Sequence, residues 1–546
     1  MRTRISARPG ARLTAVALAG CTVLAACSAG SGDGNGRVDQ PTATPTPDPV
    51  PLAATLVAQM TVSEKVGQLL LPTVSDAAAG AKLVKDYGIG GFIYFPGNLK
   101  TPRKAAELSE ALQGASKIPL LLGVDEETGI VSRTVFATPF PGAMALGATG
   151  DPELARQAAL TTGAELKAVG VNLNFAPVAD VNVDPRNPVI GVRSYGSDPA
   201  SVGQFAAAAV DGYRTAGVAA VAKHFPGHGD TAVDSHTGLP EIDHTVKQWQ
   251  ELDRPPFQAA IEAGVDAIMT GHLVVPALDR SKKPATMSKK ILTGVLREQM
   301  GFRGVIVTDS LSMAGAQVEG GAPEAAVRAV LAGADILLMP PDPVKTHAAL
   351  LKAVKKGRIS QNALDAAVIR VLTLKENRGL FAGTAADPAA AAAAQRTPEH
   401  RATALDVATR AVTVIRDKKV LPLKGKVFVT GPEADKITAA LKAEGVKIGG
   451  AESPTHVVTS ITPTSATASS LSALAGRRKV VAVVLGSPYG LRHTGDAQAA
   501  VATYSSSAVS LRGLAKVLTG KAVPQGRLPV DVPGGPDRGT GITAAL

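Results

Sequence analysis

The fourteen residues KHFPGHGDTAVDSH, Lys223 to His236, hold three of the nine histidines in this 546-residue chain, together with two aspartates and a lysine. Such a cluster can bind a metal, move protons, or simply form a polar loop. A metal pair at His224 and His228 would share a face only on a helix, and Phe225-Pro226-Gly227 between them cannot hold that turn. No cysteine stands near to complete a ligand set, so no metal and no cofactor are expected. Gly227 and Gly229 match no phosphate-cradling pattern, and the chain lacks the Gly-x-Ser-x-Gly elbow of a serine hydrolase. Acid/base chemistry fits better. Asp234 and His236 are two apart, so in an extended loop their side chains point the same way. A carboxylate bonded to an imidazole fixes its tautomer and raises its pKa, giving a proton donor and acceptor near neutrality. Asp309, at the end of VIVTDS, could then serve as nucleophile. An acid/base paired with a carboxylate nucleophile is the apparatus of retaining glycoside hydrolysis.

Those residues need a frame, and the apolar pattern supplies one. Short apolar runs recur at 66–72, 91–95, 119–125, 173–178, 218–225, 267–273, 305–310 and 336–340. They are continuous, not alternating, as strands buried on both faces are. Helical stretches separate them, such as 151–170, where Asp151 can cap, Pro152 fits the first turn and Gly170 closes the end. Eight such strands in under 300 residues predict a (β/α)8 TIM-type barrel over residues 55–381. Asp125, Lys223-His224, His272 and Asp309 fall at or near the C-terminal ends of their runs, the end where the active site of such a barrel is built. An alanine-rich linker is expected over 382–401. A smaller α/β sandwich domain is expected over 402–546, with strands at KVFVTG, THVVTSI and VVAVVLG, a helix near 508–519 and a last edge strand at GRLPVDVP. Its histidines, His456 and His493, are isolated.

The N-terminus reads as an export signal over residues 1–26. Four arginines precede an apolar run too short to span a bilayer comfortably. The run ends in Leu24-Ala25-Ala26-Cys27, the pattern of a bacterial lipobox, so Cys27 is the expected lipidation site. Residues 27–54, rich in Gly and Ser and then Pro and Thr, cannot bury enough apolar surface to fold and would form a tether. The expected location is therefore the extracytoplasmic face of the cell membrane. Aromatic residues make up 3% of the chain, which argues against broad stacking platforms for polysaccharide or single-stranded nucleic acid. The net charge of +11 shows no basic stripe interleaved with aromatics. It reads as solubility and attraction to anionic envelope polymers; no nucleic-acid partner is expected, and a monomer is.

The long motifs also carry a resemblance. KHFPGHGDTAVDSHTGLP, with VDEETGIVSR, NFAPVADVNVDPRNPVIGVRSYGSDP, MTGHLVVPALD and GVIVTDSLSM, resembles glycoside hydrolase family 3 over about residues 55–380. More narrowly it is similar to the β-N-acetylhexosaminidases of peptidoglycan recycling, and the segment ending GRLPVDVP is similar to the second domain of two-domain members. The resemblance implies Asp309 as the nucleophile that forms a glycosyl-enzyme, His236 as acid/base and Asp234 as its partner. It implies Asp125, Arg133, Arg193, Lys223 and His224 as the residues holding the sugar hydroxyls and N-acetyl group. Where the family reads Asp-Gln-Glu-Gly-Gly-Arg-Val, this chain has DEETGIV, with Ile130 at the first arginine; Arg133 keeps the second. His228 and His272 match motif positions and are expected to brace the rim loops.

The expected function is exo-acting removal of N-acetylglucosamine from cell-wall-derived glycosides or muropeptides. Three alternatives remain at this level. A phosphorylase would exploit the weak repulsion of phosphate by a neutral imidazole. A β-glucosidase would need an acid/base carboxylate in the second domain, where no candidate cluster is found. A muropeptide-binding lipoprotein without activity would not need Asp309, Asp234 and His236.

Overall fold

The computed structural model describes residues 52–383 and 386–546. The leader, Cys27 and most of the tether lie outside the described residues. The tether's expected end at residue 54 falls inside the first helix, Leu52–Gln59.

Eight parallel strands form the barrel: β1 Leu70–Leu71, β2 Gly91–Tyr94, β3 Leu121–Val124, β4 Leu173–Asn174, β5 Ala219–Phe225, β6 Ala267–Thr270, β7 Val305–Thr308 and β8 Leu337–Leu338. Strands β2 to β7 pair in sequence order, and β1 pairs with β8. Single bridges at Thr73–Ile93 and Val307–Ile336 close the ring. The continuous apolar runs are explained by two separate buried clusters. Leu71, Ile93, Leu121, Val221, Met269, Val307 and Leu338 fill the barrel interior. Their neighbours Leu70, Phe92, Leu122, Ala222, Ile268, Ile306 and Leu337 pack outward, in the cluster that the surrounding helices share.

Two runs behave differently from expectation. In 66–72 the first residues are helical, because Thr61 and Glu64 form a reciprocal capping box that starts a helix at Val62–Gln68 and leaves only Leu70–Leu71 as strand. In 173–178 the ladder stops after Asn174, and the chain rejoins it by one bridge, Val178 to Lys223. The helix expected at 151–170 spans Pro152–Ala168, with the Asp151 side chain accepting from the Glu153 N–H.

Residues 413–502 carry the second sheet: β9 Thr413–Asp417, β10 Lys426–Thr430, β11 Lys447–Ile448, β12 Thr455–Ser460, β13 Lys479–Val484 and β14 Ala499–Ala502. Their order is β11-β10-β12-β13-β14-β9, parallel except for β9 against β14. The expected linker ends early, since a helix capped by Thr397 runs over Pro398–Ala411. It also lies against the barrel: Arg396 donates to the carbonyls of Val135 and Ala137, and its N–H to Glu165. The expected edge strand at GRLPVDVP does not join the sheet. Pro529 and Pro533 have no N–H to give a ladder. Leu528, Val530 and Val532 instead pack on Met144, Tyr489 and Tyr504, between barrel and second sheet.

Candidate active site

Each strand end expected to be polar delivers its side chain to one rim. Lys223, buried near the end of β5, donates to Asp125 after β3 at 2.7 Å and pairs with Glu127 at 2.7 Å. Glu127 also takes a two-pronged bond from Arg193, Nε to Oε2 at 2.8 Å and Nη2 to Oε1 at 2.7 Å. Burial alone would raise the Glu127 pKa, but Lys223 and Arg193 together hold it far below the usual carboxylate range. Burial likewise works against charge on Lys223, and Asp125 and Glu127 outweigh it, so its ammonium is retained. Two cations and two anions thus interlock. Arg193 Nη2 also lies 3.4 Å from His224 Nε2.

His224 is oriented from behind. Its Nδ1 is 2.7 Å from Asp180 Oδ2, and Asp180 Oδ1 accepts the backbone N–H groups of His224 and His228. Asp180 is fully buried. It therefore anchors both ends of the His-Phe-Pro-Gly-His segment. The two glycines answer to close approaches. Gly227 has a φ of +132° and lies against the Asp253 carboxylate, and a Cβ on Gly229 would overlap the Val181 carbonyl oxygen. The Pro226 carbonyl accepts from the Trp249 indole N–H at 3.0 Å.

Beyond Gly229 the chain turns outward and returns as Asp234-Ser235-His236. Asp234 Oδ1 accepts the His236 N–H at 2.8 Å and sits 2.7 Å from its Nδ1. Burial raises the Asp234 pKa, but bonding to His236 more than offsets this and the carboxylate stays ionised. Nδ1–H is thereby committed to Asp234; Nε2 has no hydrogen-bond partner among the described residues. The His236 side chain is 59% exposed. His228 lies beneath, with Nε2 2.8 Å from Ser235 Oγ, and burial pushes its pKa down to about 4, so it is neutral.

Asp309 follows β7. Burial works against its charge, but His224, His272, the Ser310 N–H at 2.7 Å and Lys223 together bring its pKa below the ordinary carboxylate value. His272, wholly buried, places Nε2 2.9 Å from the Ser310 carbonyl oxygen and Nδ1 2.9 Å from Thr286 Oγ1. The two candidate catalytic loops are tied to each other, since the Ala314 and Gly315 N–H groups donate to the carbonyls of His236 and Ser235 at 3.4 and 3.3 Å.

Arg133 stands apart from the interlocked charges. Its guanidinium lies 5.8 Å from the Phe95 ring centre, at the end of β2. Ile130 is 67% exposed and shares a small cavity with Glu127 and Arg193. Sequence reasoning missed Glu127 and Asp180. The two acids of DEETG were a signal for the first. The second is the acid that ends the β4 segment, and asking what each strand end contributes would have found it. No group of three or more His, Cys, Asp or Glu side chains among the described residues is arranged to hold a metal ion.

Three comparisons bear on this arrangement. The sequence pattern of the glycosyl hydrolase family 3 N terminal domain matches residues 61–374. The chain is similar to beta-hexosaminidase A of Pseudoalteromonas piscicida, 38% identical over 379 residues that make up 64% of this chain and 63% of that protein. It thus spans less than two thirds of that relative's length. It is also similar to a beta-N-acetylglucosaminidase/beta-glucosidase of Cellulomonas fimi, 34% identical over 68% of this chain and 67% of that one. Among solved structures, a glycoside hydrolase family 3 β-N-acetylglucosaminidase from Paenibacillus sp. str. FPU-7 aligns with a TM-score of 0.76 at 35% identity. That alignment covers 87% of this chain and 99% of the other.

Proposed function

This chain belongs to glycosyl hydrolase family 3, and on that premise we propose that it is an exo-acting, retaining β-N-acetylglucosaminidase. Asp309 is the nucleophile, His236 the acid/base and Asp234 the group that orients it. The observation that carries this reading is the Asp234–His236 pair on a loop hydrogen-bonded to the loop that follows Asp309. Asp309 is ionised and so able to attack an anomeric carbon. His236 would give a proton to the departing oxygen, then take one from water as the glycosyl-enzyme is hydrolysed. Asp125, Lys223, Arg193 and His224 would hold the sugar hydroxyls and N-acetyl group, with Arg133 on the Phe95 side. Buried charges fixed in this way bind a neutral sugar without rearranging, which supports a small exo-type pocket.

The substrate class we propose is N-acetylglucosamine at the non-reducing end of cell-wall fragments. Lipid attachment at Cys27 would place the enzyme outside the cytoplasm beside that material. Among the described residues no helix is long and apolar enough to cross a membrane.

The test uses a chromogenic N-acetylglucosaminide, with and without phosphate, and a mechanism-based fluorosugar. Hydrolysis with retention, labelling of Asp309, and loss of essentially all turnover in Asp309→Ala are the expected results. Label on another residue would overturn the nucleophile. Release of a sugar phosphate in phosphate buffer would make the enzyme a phosphorylase.

A further inference from the structure

The turn that carries Arg193 is held from outside the barrel. Gly191–Arg193 is one helical turn in a long stretch with little regular structure. Its Gly191 N–H donates to Asn182 Oδ1 at 3.0 Å. Asn182 is fully buried, and its Nδ2 donates to the Tyr489 hydroxyl at 2.9 Å. Tyr489 belongs to the second domain, in the connection between β13 and β14. The next residue of the turn, Val192, packs on an apolar cluster that includes Tyr489, Leu491, Tyr504 and Val530 from the second domain. Tyr504 also shares the small cavity bounded by Glu127, Val192 and Arg193. At the far end of the stretch, the Ser197 N–H donates to the Pro529 carbonyl at 3.0 Å. Both ends of the Arg193 segment are therefore clamped by the second domain.

We propose that the second domain acts as a positioning element for Arg193, with Tyr489 working through Asn182 to fix the turn that aims the guanidinium at Glu127. The inference rests on the reading of Arg193 as a sugar-holding residue. The hydrogen bonds run in an unbroken line: Tyr489 hydroxyl, Asn182 amide, Gly191 N–H, and two residues on the Arg193 fork. Arg193 itself touches no atom of the second sheet's strands, so its direction depends on its backbone. Small displacements matter here, because a misplacement of about 1 Å can cost about a hundred-fold in rate. A contact that merely glued two domains together would alter stability without regard to Arg193.

Tyr489→Phe keeps the ring in the apolar cluster and removes only the hydroxyl. In the full chain we would follow amide exchange of residues 182–196, and kcat and KM on a chromogenic N-acetylglucosaminide, with Arg193 present and in an Arg193→Ala background. The expected result is faster exchange at Gly191 and a fall of about ten-fold in kcat/KM, carried mostly by KM. That factor should shrink to about two-fold or less once Arg193 is gone. Asn182→Asp still offers an acceptor to Gly191 and to the Tyr489 hydroxyl, so it should retain most activity, whereas Asn182→Ala should not. Unchanged exchange in Tyr489→Phe, or the same loss with and without Arg193, would overturn the proposal. Faster exchange with undiminished kcat/KM would leave the anchor standing and remove Arg193 from sugar binding instead.

Discussion

An imidazole whose Nδ1 is committed to a carboxylate has one nitrogen left for a substrate. In His236 that nitrogen is Nε2, and the value of its proton depends on the leaving group. His236→Ala should lose about a hundred-fold to ten-thousand-fold on a natural disaccharide. It should lose far less, in the glycosylation step, on an aryl glycoside with an acidic phenol. Added azide, which needs no deprotonation, should speed release and yield the β-glycosyl azide. Rate constants across phenols of graded pKa check this; equal losses along the series would leave His236 only a positioning part. At this scale the sequence was most legible where a polar residue interrupts an apolar run. Asp125, Lys223, His224 and Asp309 stand out for that reason. Glu127 and Asp180 do not, because each follows other polar residues or lies in a stretch with no periodicity. Their importance comes from partners distant in the chain, Arg193 and Lys223 for the first, His224 and His228 for the second.

The histidine-rich loop is built in layers, and its outermost support should respond to pH. His244 sits between Asp230 and Asp253, at 2.7 Å from each, and hydrogen bonds to these two carboxylates raise its pKa to about 10. Asp253 in turn packs on Gly227. A histidine with a raised folded pKa stabilises fully below its unfolded value near 6.5, and that contribution drains away as pH rises toward 10. Denaturant titrations over this window should show the wild type losing stability with rising pH more steeply than His244→Gln. Parallel curves would mean that His244 is not charged in the fold. The strands of the barrel were legible as elements because both their faces are buried. The start of β1 was not, since the capping box of Thr61 and Glu64 outranks the apolar character of the residues after it. The segment at GRLPVDVP misled for a related reason: its apolar alternation is real, but it serves packing between two domains.

Viewed as a whole molecule, the order of parts could be read from composition, whereas the contacts between parts could not. Nothing local marks Tyr489 as a partner of Asn182, 307 residues away. If the chain is anchored through Cys27, Cys27→Ala should abolish labelling by a palmitate analogue and alter signal processing, with turnover of the folded body unchanged. Labelling that persists would put the acyl group elsewhere. The interlocked charges of the pocket bear on the same question of where the enzyme works. Lys223 and Arg193 are matched one for one by Asp125 and Glu127, so the cradle carries no net field, while the chain as a whole carries +11. Ionic strength should then separate the two. Raising sodium chloride well past the point where the Debye length falls below about 8 Å should shift KM for an uncharged glycoside by less than about two-fold. The same salt should release the protein from anionic polymer. An enzyme so built can be held electrostatically beside a charged wall and still turn over neutral sugar at a rate the brine around it does not set.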